Sequence, residues 1–536
     1  VSSEPAARTR LQAAPPLAIN PWVIAVVVTM ATFMETLDTT IANVSLPHIA
    51  GNLSAGQDES TWVLTSYLVS NAIVLPISGW LSLVFGRKRF YMTCVALFTA
   101  SSFLCGLAPS LPWLIFFRIL QGLGGGGLQP SEQAILVDTF PPAKRGMAFA
   151  VAGIATIVAP IVGPTLGGWI TDSYSWRWCF YVNVPVGVLS LFLTYQLVRD
   201  PGGSRPTEKA TEKRPPLRID FSGLGLIALG LGAMQIVLDK GERLDWLESN
   251  FIVLAIFVSV VALVAATFQE LRHPNPVADV KLLGNRNFGI ACMLMFMVGF
   301  ALFGTTVLVP QLLQTLLGYS AMQAGLVLSP GGVVILFLMP MVGILVTKFQ
   351  PRFLITFGFV VAALGIFQMQ DFNLLMDARA AVIARCLQTF GVAFLFVPVN
   401  TAAYSMIPPG KNNNASALLA LARNSGASVG IAFVTTLLAR RAQAHQATLI
   451  SHLTPFDPTY RATLAGITER LTRSGLAPGE AALRAQAVIV RMLGREASML
   501  AYGDAFKILG TALLGMAPFA LLLRPGKATK GGPVGH

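Results

Sequence analysis

Charge is what this sequence lacks. Its 536 residues include only 38 Lys and Arg and 25 Asp and Glu, 12% of the chain, while 54% are hydrophobic. An average soluble protein carries roughly 25% charged residues. A chain this long folded in water would divide into about three or four domains, each with a charged exterior. Too few charges exist to solvate those surfaces, so the solvent is mostly lipid. Cysteine is scarce as well. Cys94, Cys105, Cys179, Cys292 and Cys386 fall in or beside apolar runs without CxxC spacing, which reads as small packing residues and points to neither a disulfide scaffold nor a metal site. The five His show no metal-ligand spacing, and neither GxxxxGK[ST] nor HExxH occurs. ATP-driven pumping and hydrolase chemistry are therefore disfavoured, and the chain is not expected to be an enzyme. The polar, Pro-rich start does not read as a cleavable signal peptide, and the first apolar stretch is expected to span the bilayer.

What is present is length and apolarity. Spanning about 30 Å of hydrocarbon takes about 20 apolar residues. Fourteen segments qualify, near 21–43, 61–83, 90–108, 112–137, 146–170, 178–197, 221–239, 250–269, 288–312, 325–347, 352–370, 380–403, 415–439 and 503–523. They do not alternate as porin strands would, so the expected fold is an all-α membrane bundle, in which each helix satisfies its own backbone. The net charge of +13 suggests nucleic acid only until the basic residues are placed. With the N-terminus inside, the inner segments carry 22 Lys and Arg and the six short outer loops carry four. That asymmetry predicts cytoplasmic termini (tails 1–20 and 524–536) and no nucleic-acid partner. The outer loop at 440–502 carries eight Arg, but long loops translocate largely regardless of charge.

The chain repeats itself. Arg118-Ile-Leu-Gln121 recurs as Arg385-Cys-Leu-Gln388, 267 residues on. The same offset carries Gly124 to Gly391, Pro141-Pro142 to Pro408-Pro409 and Gly163 to Gly430. An offset of 266 aligns Leu37-Asp38-Thr39-Thr40 with Phe303-Gly304-Thr305-Thr306, which sets Gly304 opposite Asp38. Two six-helix halves follow, residues 21–197 and 288–523. Residues 198–287 form cytoplasmic linkers around inserted helices 7 and 8. Duplicated halves place a substrate site between them near the midplane.

Charges at depth are conspicuous in such a chain. Glu35 and Asp38 lie on one face of the first helix, roughly 12 and 8 Å from its outer end. Arg118 enters from outside to a similar depth, roughly 9 Å. An intramembrane charge costs about 2.5–3.5 kcal/mol, so each needs a partner or a water cavity. Either Asp38 and Arg118 form a fixed fastener between helices 1 and 4, or they titrate. Glu132 sits roughly 21 Å further along helix 4, as a second carboxylate for proton relay or cation contact or as a solvated helix end. Arg385 repeats Arg118 and meets backbone carbonyls, substrate or water. Arg423 reads as a snorkelling or structural charge. Gln121, Met297, Phe300, Gln388 and Phe394 are candidate cavity residues, Met and aromatics being tolerant of varied ligands, although in lipid such stripes more often face lipid or serve packing.

Five segments in order carry a resemblance: LDTTIANVSLP (37–47), GWLSLVFGRKR (79–89), RILQGLGGG (118–126), APIVGPTLGGW (159–169) and WRWCFYVNVPVG (176–187). Together they resemble the fourteen-helix drug:proton antiporters of the major facilitator superfamily, of the EmrB type. The resemblance implies two pseudo-symmetric six-helix bundles plus two inserted helices. It implies export of hydrophobic or amphipathic compounds from a bacterial inner membrane, driven by the proton gradient without a cofactor. A periplasmic adaptor and an outer-membrane channel are implied partners, with 440–502 a candidate docking element or a plain connector. It gives the first-helix acid and Arg118 coupling roles: Asp38, with Glu35, takes a proton from outside while Arg118 biases its charge. Gating is implied for the loop after helix 2 (Gly79, Gly86, Arg87, Lys88, Arg89) and for helix 5 (Gly153, Pro160, Gly163, Pro164, Gly167, Gly168). The loop departs from the pattern, because Leu83 stands where an Asp is usual, and this puts an Asp-dependent lock in doubt. Two other readings remain: a dedicated exporter of one lipid, siderophore or metabolite, and a transporter-like sensor or assembly protein without turnover.

Overall fold

The computed structural model describes residues 20–198, 220–274, 276–408, 411–451 and 453–524. The expected tails apart from residues 20 and 524, residues 199–219 of the expected linkers and Pro409 of the repeat lie outside them. Helices account for the described chain, with no strand among the described residues. The first half comprises α1 (Pro21–Asn52), the short α2 (Gln57–Ser60), α3 (Trp62–Phe85), α4 (Arg87–Leu107), α5 (Leu111–Gly125), α6 (Leu128–Thr139), α7 (Pro142–Ser173), the short α8 (Trp178–Tyr181) and α9 (Asn183–Leu197). The insertion is α10 (Phe221–Lys240) and α11 (Asn250–Arg272). The second half comprises α12 (Arg286–Thr315), α13 (Ala321–Lys348), α14 (Pro351–Gln370), α15 (Ala378–Tyr404), α16 (Asn412–Ile450), α17 (Pro458–Arg473), α18 (Pro478–Gly515) and α19 (Ala517–Leu521).

Among the described residues, 13 helical spans are long and apolar enough to cross a bilayer. The remaining expected span, 112–137, is α5 and α6 together, broken at Gly126-Gly127. The break follows from packing. A Cβ on Gly126 would lie 2.5 Å from the Asn71 carbonyl oxygen, and one on Gly124 would lie 2.7 Å from the Phe98 nitrogen. Glycine lets this span press against α3 and α4 at once.

Three boundaries need correction. α1 runs to Asn52 rather than 43, because the polar residues beyond the apolar run are satisfied inside the protein: Ser45 Oγ bonds the Ile41 carbonyl and meets Thr171 Oγ1 at 3.0 Å. Asp38 is therefore not near the outer end; it lies mid-helix, roughly 21 Å from Asn52 and roughly 26 Å from Pro21. α16 continues to Ile450 and α18 begins at Pro478, so the expected loop 440–502 is mostly helix. Asp504 of α18 holds these extensions together through His445 at 2.9 Å and Arg441 at 3.7 Å on α16. α17 packs on α18 and has no buried residue.

The duplication is visible in the packing. In each half the first helix packs on the fifth, the second on the fourth, and the third on the fourth and sixth. Across the halves, α7 packs on α13 and α16 on α3, so each half's second helix meets the other's fifth. The insertion packs mainly on α3: Thr65 bonds Asp239, and Lys240 lies 4.9 Å over the Trp62 ring. The string Gly426-Ala-Ser-Val-Gly430 fits a GxSxG pattern, but it lies mid-α16 rather than at a strand-to-helix turn. Its glycines serve packing, since Cβ atoms there would lie 2.0 and 2.4 Å from the Phe296 and Phe300 carbonyl oxygens. Gly426→Ala is expected to force α12 from α16 at a cost of roughly 1–3 kcal/mol, read as a lower Tm in detergent.

Candidate functional site

A buried polar knot sits at the centre of the first half. Asp38 and Arg118 are 1% and 0% exposed. Arg118 Nη1 donates to Asp38 Oδ2 at 2.5 Å and to Gln121 Oε1 at 2.8 Å, while Nε donates to the Val63 carbonyl at 3.0 Å. Asp38 Oδ1 accepts from Gln121 Nε2 at 3.0 Å and from Asn183 Nδ2 at 2.7 Å. Asn183 also donates to Ser102 Oγ. Two helices, α5 and α9, thus aim two amides and a guanidinium at one carboxylate on α1. A buried pair of this kind contributes modest net stability, but removing one partner leaves an uncompensated charge. The charge state of Asp38 is therefore coupled to how α1, α5 and α9 pack.

A second carboxylate follows one turn down α1. Half-buried Glu35 accepts from Tyr67 Oη and Asn71 Nδ2, both at 3.1 Å. Tyr67 links the two acids physically, because the Arg118 guanidinium lies 4.3 Å over its ring while its hydroxyl serves Glu35. Glu132 lies further along. The solvated helix end is corrected here: Glu132 is 1% exposed and accepts from Thr29 Oγ1 at 2.7 Å, because α6 is enclosed by α1, α4 and α16. Arg423 is corrected likewise. It does not snorkel but is 7% exposed on α16, donating through Nη2 to Gln129 Oε1 at 2.5 Å within electrostatic reach of Glu35 and Glu132. Asp38, Glu35 and Thr29 with Glu132 descend α1 over about 13 Å, ending at a cation supplied by the other half.

The end of the bundle carrying the GRKR loop is closed. Arg87 bonds Asp138 and the Ala134 carbonyl within the first half, and reaches Asn413 Oδ1 at 2.5 Å on α16. Asn412 Nδ2 donates back to Asp138 Oδ1 at 2.8 Å. Leu83 is exposed, and Asp138, at the end of α6, supplies the acid missing from that position. Tyr404 adds a stack on Phe149 and a hydroxyl bond toward Gln133. Gly79 permits the approach, since a Cβ there would lie 2.8 Å from Asn414 Oδ1. Gly86 has φ +87°, a conformation that glycine adopts without strain. Lys88 turns to the Tyr195 carbonyl at 2.6 Å and Arg89 is exposed.

In α7, Gly163 and Gly167 press on Thr40 and Ile41 of α1, while Gly153 faces Phe396 and Met339 of the second half. Pro160 and Gly168 are buried, and Pro160 and Pro164 lie within the uninterrupted helix. α7 therefore joins α1, the helix of Asp38, to the other bundle. The candidate cavity residues disperse. Gln121 and Gln388 are knot residues, Met297 and half-buried Phe300 lie on α12 with Phe300 5.5 Å from Phe433, and Phe394 is buried against Phe390 and Phe357 inside the second half.

The second half holds a copy of the knot. Arg385 Nη1 donates to Gln388 Oε1 at 2.8 Å and to Thr305 Oγ1 at 3.2 Å, Nη2 donates to Thr306 Oγ1 at 3.1 Å, and Gln388 Nε2 donates to Thr305 Oγ1 at 2.6 Å. The partner of the acid is thus Thr305, 267 residues after Asp38, and not Gly304. The sequence match was one residue out of register, which on a helix is a turn of about 100° to another face. Asn183, Tyr67 and Asn71 were not singled out from sequence. Asn183 lay within a quoted segment, and Tyr67 and Asn71 form a polar i, i+4 pair inside an apolar span.

A model of the Major Facilitator Superfamily matches residues 28–431. The multidrug export protein EmrB of Escherichia coli (strain K12) is 40% identical over 441 residues, 82% of this chain and 84% of that protein. The fatty acid resistance protein FarB of Neisseria gonorrhoeae is 38% identical over 454 residues, 84% and 86% of the two chains. Among solved structures, the proton:xylose symporter XylE superposes with a TM-score of 0.56 at 15% identity over 94% of this chain and 99% of its own, a likeness of fold.

Proposed function

The chain belongs to the Major Facilitator Superfamily, among its EmrB-type multidrug permeases of the bacterial inner membrane, and from that premise we propose a proton-coupled exporter of hydrophobic and amphipathic compounds working by alternating access. The observation that carries the reading is Asp38 bonded to Arg118 at mid-depth, in the helix that α7 joins to the other half. The basic residues put the Arg87 end in the cytoplasm, so this conformation is closed to the cytoplasm. A proton from outside neutralises Asp38 and releases its hold on Arg118. Tyr67 passes the change to Glu35, and Glu35 and Glu132 alter the field at Arg423 in the second half. With that inter-half attraction weakened, the contacts of Arg87, Asp138, Asn412 and Asn413 separate and the halves rock. Both termini are then cytoplasmic, and the helical extensions of α16 and α18 with α17 stand on the outer side, where a periplasmic adaptor leading to an outer-membrane channel would dock.

The reading is tested in proteoliposomes with a fluorescent amphiphilic cation. An imposed pH gradient is expected to drive accumulation that collapses with nigericin; accumulation indifferent to the gradient rejects proton coupling. Glu132→Gln removes one buried titrating group and is expected to lower gradient-driven transport at least tenfold and flatten its pH profile, with little loss of substrate-gradient exchange.

A further inference from the structure

The two knots differ at one chemically decisive position. In the first, Arg118 faces the carboxylate of Asp38; in the second, the matching seat holds the hydroxyl of Thr305. Arg385 is 0% exposed, and among the described residues no carboxylate bonds it. Hydroxyls and an amide offset the burial of a guanidinium only in part. The unused donors are informative. Arg118 spends Nε on the Val63 carbonyl and leaves only Nη2 over, whereas Arg385 Nε is buried without a partner and its neighbour Nη2 meets only the rotatable hydroxyl of Thr306, so the whole Nε–Nη2 edge is under-used. Nε and Nη2 form the side-on edge of a guanidinium, the fork that takes a carboxylate through two parallel bonds. Thr306, beside this edge, is half-buried, with half-buried Phe303 one turn away for an apolar tail.

We infer that Arg385, Thr305 and Thr306 form an anion subsite that takes the carboxylate head of an amphiphile. The first half thus holds a switchable pair and the second a fixed cation, and one Asp-to-Thr difference between duplicated halves makes the second receptive to acids. The inference rests on the exporter reading only in treating the bound acid as cargo.

The test uses the full chain in nanodiscs, titrated with dodecanoate and the chain-matched dodecyltrimethylammonium, in wild type, Thr305→Asp and Arg385→Gln. Thr305→Asp supplies from within the carboxylate that its counterpart has. The ratio of dodecanoate to dodecyltrimethylammonium affinity is expected to fall at least tenfold in each variant. An unchanged ratio in either folded variant overturns the subsite, and Arg385→Gln decides the matter if Thr305→Asp does not fold. Exchanging gluconate for chloride separates the sources: no displacement supports the amphiphilic carboxylate, while displacement at millimolar chloride keeps the anion subsite and overturns the amphiphile as its occupant. Dodecanoate that binds but is not exported under a pH gradient leaves the subsite standing and counts against the exporter reading.

Discussion

Asp38→Asn is expected to lower gradient-driven export by a hundredfold or more while the protein still reaches the membrane. Asparagine keeps the shape and can still accept from Asn183 and Gln121, but it cannot titrate. It also leaves Arg118 buried without its counter-charge, and breaking such a pair costs roughly 3–5 kcal/mol. Loss of stability and loss of coupling are therefore confounded in the single variant. The double variant Asp38→Asn/Arg118→Gln separates them, because it removes both charges from a site already lined by amides. Its Tm in detergent is expected to recover most of the loss, while transport stays uncoupled from pH. Recovery of gradient-driven export in the double variant would show that the pair is a fastener and that the proton binds elsewhere.

The second large effect is expected at the gate. Arg87→Ala deletes the bonds to Asp138, the Ala134 carbonyl and Asn413 together. The side chains of Arg87 and Asp138 are 14% and 26% exposed, so solvent screens the ion pair and the combined loss is put at about 1–2 kcal/mol. Every 1.4 kcal/mol is a factor of ten in a two-state population. Spin labels at cysteines replacing exposed Arg89 and Ser405 lie on opposite sides of this gate. Their distance distribution is expected to shift from one short population toward a longer one, about tenfold in ratio. Asp138→Asn should give a smaller shift in the same direction, since Asn412 and Arg87 keep a polar partner. No change in either variant would mean that the gate is held by the α7–α13 seam instead.

How much of this was legible beforehand depended on what scarcity marks. Asp38 and Arg118 stood out because charges at depth are rare, and the structure brings them into contact. The duplication was legible because RILQ recurs with its spacing as RCLQ. The register at Thr305 was not, since adjacent threonines on both sides, Thr39-Thr40 and Thr305-Thr306, allow alignment at 266 as well as at 267. Glu132 and Arg423 were hard to place for another reason. Distance from a span's end gives depth but not face, and their burial depends on α6 lying between α1 and α16. The lock at Arg87 was doubted because the usual loop position holds Leu83; its acid comes instead from Asp138, more than fifty residues away and outside the motif. Asn183 and Tyr67 carry no charge, so charge scarcity could not flag them.

The central claim is that Asp38 exchanges a proton as cargo binds. It is tested most directly by adding saturating substrate to the purified protein in weakly buffered detergent solution and recording pH. Wild type is expected to release protons on binding, with release vanishing at a pH low enough that cargo no longer competes. Asp38→Asn/Arg118→Gln, folded and still binding substrate, is expected to release none from this site and so to show a clearly smaller signal. Equal proton release from wild type and the double variant would contradict the account.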